Sequence, residues 1–384
     1  MQSVGIICEY NPLHLGHQKQ FSQIREFLGA DTAIVCLMSG NFVQRGHPAI
    51  VDKSLRAKAA ILCGADLVLE LPLQACLSSA EGFAARGVEI LSALCQQLCF
   101  GTETADPALL MQTAEALLSP RFPEALSVRL RDGLSFPAAR QAALEDLGLS
   151  SALLQQPNNI LAVEYCKAIL SQNSKMKPLP ILREGNYHSS APDRENPSAT
   201  AVRSLMAQKG SWLDYVPEHA VDCFLDAPIH TLQAGESAIL YRLRTMTDAE
   251  FEALPYGSEG LWRKLMHSSR QEATLEDILN AVKSKRYTRT RLDRMVMCAA
   301  LQLTGEALSA PIPYVRALAF NHRGRTLLKQ AKDTLCILNA GEASPNPMWQ
   351  LEQRAGDLYG LFAQAGPEAP GIEARRRVYY HHPE

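Results

Sequence analysis

The chain has 384 residues, of which 47% are hydrophobic and 20% are charged. This composition excludes an intrinsically disordered protein, and the length favours two or three domains. A formal net charge of −2 excludes a uniformly basic nucleic-acid binder, but not one with a local basic surface.

The ten cysteines are scattered, mostly within apolar runs, and no signal-type segment precedes the first of them. That pattern is typical of reduced thiols in a cytoplasmic protein. Cys95 and Cys99 are four residues apart, but no second pair or nearby histidine completes a zinc site, so we predict no metal held by the protein alone. No apolar run approaches the roughly twenty residues of a membrane span, so we predict a soluble protein without a membrane partner.

Short apolar runs alternate with helical patterns in the N-terminal half. The runs are typical of strands buried on both faces of a parallel sheet, and they cover residues 4–8, 33–38, 67–71 and 98–100. Apolar residues recur at helical spacing between these runs, with Asp52 as a candidate N-cap. The alternation predicts an α/β fold with a doubly wound, Rossmann-like parallel sheet.

Helical patterns dominate the rest of the chain. We predict a helical insertion at about 105–175, a returning strand over 178–183 and a mainly helical C-terminal domain that begins near Pro217. The predicted domains are therefore 1–216 and 217–384. Since ligands of open α/β sheets bind beyond the carboxyl ends of the strands, the loops after the strands are the places to look for chemistry.

The turn after the first predicted strand reads EYNPLHLGH and places His14 and His17 on either side of Gly16. A helix that begins here directs its backbone N–H groups and its positive end at an anion. Gly16 permits close approach of a ligand, and both imidazoles can donate hydrogen bonds to phosphate oxygens. The pattern alone fits equally well one histidine that faces water and one that packs.

A second polar segment, NPSATAVR, places Ser198, Thr200 and Arg203 at a predicted helix start. The hydroxyls can cap the helix or bind oxygen, and the guanidinium one turn later can clamp a phosphate. An ordinary capped helix with a solvent-facing arginine is the alternative. HxGH and SxTxxR together resemble the two signatures of the HIGH-type nucleotidyltransferase superfamily, which binds ATP, directs attack on its α-phosphate and releases pyrophosphate.

Ten sequence blocks resemble, in order, the bacterial tRNA(Met) cytidine acetate ligase family. They extend from residue 5 to about residue 325 and read EYNPLHLGH, MSGNFVQRG, PAIVDK, GADLVLELP, FGTE, PNNILAVEY, NYH, SATAVR, KRYTRTRL and PYVRALAFN. The resemblance implies that ATP activates acetate as acetyl-adenylate with release of pyrophosphate. The acetyl group then passes to the wobble cytidine of elongator tRNA(Met), which gives N(4)-acetylcytidine and AMP. Residues 1–216 would bind ATP and carry catalysis, and residues 217–384 would bind tRNA.

The resemblance also implies site residues. The catalytic residues would be His14, His17 and Arg203. The other ATP-binding residues would be Ile7, Cys8, Glu9, Tyr10, Asn11, Pro12, Leu13, Leu15, Gly16, Gln18, Lys19, Gln20, Gly101, Asn158, Arg183, Ser198 and Thr200. Without the resemblance, Gly101 also fits a plain turn, Asn158 a helix cap and Arg183 a surface ion pair.

Four positions depart from the family's pattern: Leu13, Leu15, His47 and Ser54. The first two leave the phosphate-facing histidines intact. In the SGNFVQRG segment and the helix after it, Asn41, Arg45 and Lys53 form a possible substrate loop for a carboxylate or the triphosphate. Solvated side chains are the alternative for Arg45 and Lys53.

The segment KSKRYTRTRLDR is strongly basic, since only Asp293 offsets six cations. Clustered cations make salt-sensitive phosphate contacts, and an aromatic ring offers a surface on which a base can stack. We predict RNA contact here rather than a solvated helix face, with Tyr314 and Arg316 as an extension of the same surface. The predicted RNA-binding residues are Lys283, Lys285, Arg286, Tyr287, Arg289, Arg291 and Arg294.

The absence of a P-loop motif fits attack on the α-phosphate better than transfer of the γ-phosphate. The resemblance implies ATP as a co-substrate, and Mg²⁺ is expected as a bridge between phosphate oxygens, although no sequence motif of this chain binds it. Two other functions remain open. One is a small-molecule adenylyltransferase of nucleotide-coenzyme synthesis, and the other is an ATP-responsive RNA-binding protein without enzymatic activity.

Overall fold

One sheet runs through the molecule and contains strands from both halves of the chain. The computed structural model describes residues 1–183, 193, 197–284 and 286–382. The strands are β1 (Ser3–Cys8), β2 (Ala33–Ser39), β3 (Leu67–Leu71), β4 (Gln97–Thr102), β5 (Lys177–Leu182), β6 (Val315–Phe320), β7 (Ile337–Asn339) and β8 (Tyr379–Tyr380). Their order is β5-β4-β1-β2-β3-β6-β7, with β8 beside β6. Neighbours are parallel except for β3 and β6, so the predicted α/β fold is confirmed.

Helices cover both faces of the sheet and fill the C-terminal half. They are α1 (Leu15–Leu28), α2 (Lys53–Leu62), α3 (Leu73–Cys76), α4 (Ala80–Ser92), α5 (Pro107–Leu118), α6 (Phe122–Arg131), α7 (Phe136–Asp146), α8 (Pro157–Ser171), α9 (Ala199–Ala207), α10 (Glu218–Phe224), α11 (Glu236–Thr245), α12 (Asp248–Glu252), α13 (Leu261–Ser269), α14 (Leu275–Val282), α15 (Arg289–Leu301), α16 (Gly305–Ser309), α17 (His322–Gln330), α18 (Pro347–Gly360) and α19 (Ile372–Arg375). Helices α5 to α8 form the predicted insertion between β4 and β5.

Local sequence accounts for the N-terminal elements. The runs AIVCLMS and LVLEL are buried along their whole length, as expected for strands covered on both faces. Asp52 caps α2 as predicted, and its carboxylate accepts a hydrogen bond from the N–H of Ser54 at 2.8 Å. The strand order reverses at β1, which lies between β2 and β4. A ligand cleft is therefore expected at the carboxyl ends of β1 and β4.

The C-terminal half contributes more than helices. The segment VRALAF was expected to carry part of an RNA-binding surface, but it forms β6 inside the sheet. Tyr314 and Arg316 are buried, and Arg316 Nε donates to Glu352 at 2.8 Å. These two residues therefore do not extend a basic surface. The expectation failed because the burial of Tyr314 and Arg316 depends on the pairing of β6 with β3 and on contact with Glu352, partners that lie far along the chain.

The helical region packs directly on the loops of the sheet. Its core is built around α11, α13, α14, α15 and α18, and it includes Phe42 and Leu77 from the N-terminal half. The hydroxyl of Tyr256 donates to the carbonyl oxygen of Leu77 at 2.6 Å. These contacts bring the start of α15 to the carboxyl end of the sheet.

Candidate active site

Two imidazole rings meet at the turn between β1 and α1. His14 is the N-cap of α1 and His17 lies in its first turn, and the ring centroids are 3.7 Å apart. Nδ1 of His14 accepts from the N–H of Gly16 at 3.2 Å, and Nδ1 of His17 accepts from the N–H of His14 at 3.2 Å. The spacing of three residues is thus that of a reciprocal cap at the start of a helix.

Each ring is a neutral hydrogen-bond donor. Because Nδ1 accepts a backbone N–H, the proton lies on Nε2. Burial, and then the cations Arg183 and Arg203, lower the pKa of His14 to about 3. Burial, His14 and Arg183 hold the pKa of His17 well below its ordinary value. Both rings line a cavity of about 1080 Å³, so they can offer N–H groups to an anion without carrying charge.

Helix α9 brings Arg203 to the same turn. Its Nη1 donates to the carbonyl oxygen of Asn11 at 2.7 Å, and its Nη2 donates to Oγ1 of Thr200 at 3.1 Å. Ser198 caps the helix through the N–H of Ala201 at 3.1 Å. Arg203 and Ser198 line the cavity. Thr200 does not line it, but its hydroxyl contacts Arg203. The arginine therefore does not face bulk solvent as in an ordinary capped helix.

The end of β4 and the start of α8 hold Arg183 in the cavity wall. Its Nη1 donates to Oδ1 of Asn158 at 3.1 Å, and Nδ2 of Asn158 donates to Oε1 of Glu103 at 2.7 Å. Burial lowers the pKa of Arg183 to about 10, and Glu103 opposes that effect, so the group stays cationic at neutral pH. Gly101, Asn158 and Arg183 all line the cavity, as their predicted roles require.

Substitution of Gly101 by alanine is expected to weaken ATP binding about tenfold, equivalent to one charged hydrogen bond. A Cβ there would lie 2.7 Å from Cδ and 2.8 Å from Cγ of Arg183, so the guanidinium must move away from Asn158. Isothermal titration calorimetry with ATP measures the change. Gly305→Ala is the matched control, because nothing lies within 4 Å of its added Cβ. Equal affinities of both variants would contradict this role of Gly101.

The rest of the predicted ATP segment divides into two groups. The residues that line the cavity are Ile7, Cys8, Glu9, Tyr10, Asn11, Gly16, Lys19 and Gln20. The structure does not place Pro12, Leu13, Leu15 or Gln18 in the cavity wall. Leu13 is fully buried in the core beneath α1, so its departure from the family's pattern affects packing rather than contact with a ligand.

The possible substrate loop is only partly brought to the cavity. Arg45 lines it, but Asn41 and Lys53 do not. The side-chain Oδ1 of Asn41 instead accepts from the N–H of Lys53 at 2.8 Å. The ammonium of Lys53 is buried between Glu70 at 2.6 Å and Glu373 at 2.8 Å. Lys53 therefore neutralises carboxylates inside the fold and is not available to a substrate.

The RG turn of the same loop packs against the N-terminal end of α15. Gly46 has φ +80°, and a Cβ there would lie 2.6 Å from the backbone of Asp293. Nε2 of His47 lies 3.4 Å from Oδ2 of Asp293. Glycine is thus required by both conformation and space, and His47 contacts α15 rather than the cavity.

The basic segment reaches the cavity with some of its cations. Arg286, Arg291 and Arg294 line it, together with Thr288 and Thr290, which were not predicted. Lys283 is exposed outside the cavity, and Lys285 lies outside the described residues, as does the NYH block.

Two residues of this segment that were predicted to bind RNA make contacts within the protein instead. Tyr287 is 5% exposed, and its ring stacks under the guanidinium of Arg291, so it does not offer a free face to a base. Arg289 is paired with Glu276 at 2.7 Å and with Asp293 at 2.8 Å. Glu276 lies outside the segment, so the local charge count could not show that Arg289 has two acidic partners.

Sequence reasoning missed the part of the cavity that lies beside the helical insertion. Aromatic side chains from α4, β4, α6 and α8 line it, and Glu164 lies among them with its carboxylate 2.5 Å from Arg140 and 2.9 Å from Lys167. The signal was a charged pair three residues apart within the apolar NNILAVEYCKAIL. Such a pair within a buried helix face predicts an internal ion pair.

The described residues contain neither a metal-binding cluster nor a membrane-spanning helix. They contain no group of three or more histidine, cysteine, aspartate or glutamate side chains that could hold a metal ion. No helix among them is long and apolar enough to cross a membrane. All ten cysteines are free thiols, and nine of them are buried or half-buried.

Comparisons with known proteins agree with this geometry. A model of the HIGH Nucleotidyl Transferase family matches residues 1–370. The tRNA(Met) cytidine acetate ligase of Anoxybacillus flavithermus is 35% identical, with 99% of this chain and 98% of the relative covered. The enzyme of the same name from Alkaliphilus metalliredigens is 37% identical, with 94% of each chain covered.

Two solved structures share the fold over the whole chain. The crystal structure of Thermotoga maritima TmcAL bound with alpha-thio ATP has a TM-score of 0.89 and 28% identity, and it covers 100% of both chains. The apo crystal structure of the same protein has a TM-score of 0.91 and 27% identity, again with 100% of both chains covered.

Proposed function

Because the chain belongs to the tRNA(Met) cytidine acetate ligase family, we propose that it acetylates the wobble cytidine of elongator tRNA(Met) with ATP and acetate. Acetate first attacks the α-phosphate of ATP, which gives acetyl-adenylate and pyrophosphate. The exocyclic amine of the cytidine then takes the acetyl group, and AMP leaves. The observation that carries this proposal is the single cavity shared by the histidine pair, Arg203 and the arginines of the basic segment.

The donors of the cavity suit the first step. Acetate is a poor acyl donor because its carbonyl shares the negative charge, and a mixed anhydride with AMP supplies a good leaving group. The Nε2–H groups of His14 and His17 can stabilise charge that grows on the phosphoryl oxygens. The planar guanidinium of Arg203, fixed on the carbonyl oxygen of Asn11, can hold a phosphate oxygen in the same region.

Mg²⁺ fits this site as a companion of the nucleotide rather than as a resident of the protein. The described residues offer no cluster of metal ligands, and Mg²⁺ in such enzymes is held largely by phosphate oxygens and water. When bound, it would neutralise charge on the triphosphate.

The cations of the basic segment suit the second substrate. Arg286 lines the cavity with 68% of its side chain exposed and pairs with the exposed Glu259 at 2.9 Å, while Arg291 is half-buried and Arg294 is buried. A tRNA backbone that contacts these groups would direct a splayed anticodon base toward the activated acetyl group. A small acceptor does not need such a set of cations, which favours the ligase over a coenzyme adenylyltransferase.

Incubation of the pure protein with ATP, radiolabelled acetate and tRNA tests the proposal. Label is expected in elongator tRNA(Met), and not in the same transcript with uridine at the wobble position. Transfer of AMP to a small acceptor without acetate would favour the adenylyltransferase instead. Binding of ATP and tRNA without any turnover would favour a non-enzymatic RNA-binding protein.

Replacement of Arg286 by alanine is expected to weaken tRNA binding and to reduce the slope of log affinity against log salt by about 1. Acetate-dependent exchange of pyrophosphate into ATP should be unchanged. Arg289→Ala should have a smaller effect, because Glu276 and Asp293 already neutralise that guanidinium. Filter binding across a salt series measures both variants. The matched control is Arg270→Ala, an exposed arginine paired with Asp248 at 2.7 Å, and a loss as large in this control would contradict the assignment.

A further inference from the structure

The two steps of the proposed reaction differ by one proton. Acetate is already an anion, so its oxygen forms the bond to the α-phosphate while the pyrophosphate oxygen leaves with its electron pair. In the second step the amine nitrogen forms a bond to the acyl carbon, and the C–O bond to AMP breaks. The amide that results has one hydrogen fewer than the amine. A proton acceptor is therefore needed in the second step alone.

The two histidines that line the cavity in the described part of the chain, His14 and His17, cannot be that acceptor. In both rings Nδ1 already accepts a backbone N–H and Nε2 carries the proton, so no ring nitrogen presents a free lone pair. Burial also raises the pKa of the Cys8 thiol and of the Tyr10 phenol well above their ordinary values, so both groups keep their protons. Among the described side chains of the cavity wall, a carboxylate is the remaining type of base.

Three carboxylates line the cavity within the described part of the chain, namely Glu9, Glu81 and Glu164. Lys167 lies 2.9 Å from Glu81 and 2.9 Å from Glu164, and Arg140 lies 2.5 Å from Glu164. Glu81 and Glu164 are thus both held in ion pairs, in the part of the cavity beside the helical insertion. Glu9 has no ion pair within 4 Å among the described residues.

Glu9 is also held in place at the reacting end of the cavity. It directly follows β1, and its Oε1 accepts the N–H of Gln44 at 3.0 Å. Its own carbonyl oxygen accepts from the buried Arg56 at 2.5 Å. Its charge opposes the lowering of the pKa of Arg203 that burial causes, and Glu9, Arg203 and Arg45 all line the cavity. We propose, on the basis of the proposed function, that Glu9 accepts the amine proton of the cytidine during acetyl transfer.

Glu9→Gln tests this role, because the amide keeps an oxygen for the N–H of Gln44 but cannot accept a proton. Two rates are measured for each variant: acetate-dependent exchange of pyrophosphate into ATP, and single-turnover transfer from purified acetyl-adenylate to tRNA. Transfer should fall roughly 100-fold or more beyond any change in exchange, so the ratio of the two rates, rather than an unchanged exchange rate, reports the role of Glu9. Glu9→Asp should recover part of the transfer rate.

Glu81→Gln is the matched control, since it removes a charge from the same cavity and should leave both rates near those of wild type. An equal loss of exchange and transfer in Glu9→Gln would overturn the inference and assign Glu9 to nucleotide or Mg²⁺ binding. Undiminished transfer would overturn it as well. If the wild-type protein performs neither step, the proposed function itself fails, which is a result distinct from both.

Discussion

His17→Ala is expected to lower acetate-dependent pyrophosphate release about 100- to 1000-fold, the usual effect of removing one donor to a developing oxyanion. The Nε2–H of His17 would contact charge that grows in the transition state, so the loss should fall mainly on kcat. A continuous pyrophosphate assay at saturating ATP measures it.

His14→Ala should give a similar loss and, in addition, lower the free energy of unfolding by about 1 kcal/mol, because His14 caps α1. His219→Ala is the control, as this histidine is exposed on α10. Wild-type turnover in both His14→Ala and His17→Ala would rule out attack on the α-phosphate at this turn.

Lys53→Ala is expected to lower the free energy of unfolding by about 3–5 kcal/mol, the effect of breaking a buried ion pair. The ammonium lies 2.6 Å from Glu70 and 2.8 Å from Glu373. Its removal leaves the buried Glu70 without an ion pair among the described residues, whereas Glu373 keeps its ion pair with Arg376 at 2.9 Å. Urea denaturation followed by circular dichroism measures the change.

Lys329→Ala is the matched control, because this lysine is exposed near the end of α17. A second variant, in which Glu70→Gln accompanies Lys53→Met, should recover part of the loss, since it removes the carboxylate that Lys53→Met leaves without an ion pair. If Lys53→Ala kept its stability and instead lost affinity for acetate or ATP, the ion-pair role would be refuted and the substrate-loop hypothesis for Lys53 would gain support.

Sequence alone predicted the features that neighbouring residues determine. The first five strands are continuous apolar runs or follow a helical insertion, and each lies where its run predicted. The HxGH turn was also predictable, since the spacing that lets His14 and His17 cap a helix also brings both rings to the cavity wall. In these places local propensity and tertiary role agree.

The features that sequence could not predict depend on partners far along the chain. Lys53 looked like a donor to substrate because the carboxylate that neutralises it, Glu373, is 320 positions away. Tyr287 looked like a stacking surface because its burial depends on the packing of the helical region. Charge and ring counts within a segment do not contain this information.

The antiparallel pairing of β3 with β6 also sets the order in which the molecule can be completed during synthesis. Since ribosomes add about 5–20 residues per second, the roughly 240 residues between Leu71 and Val315 take on the order of 10–50 s to appear. Throughout that interval the apolar LVLEL is an open edge on the nascent chain, which invites pairing with other chains. A premature stop before β6 would release a product whose turn between β1 and α1 is complete but whose sheet is not. Such fragments are expected to aggregate or be degraded rather than to persist as partial enzymes.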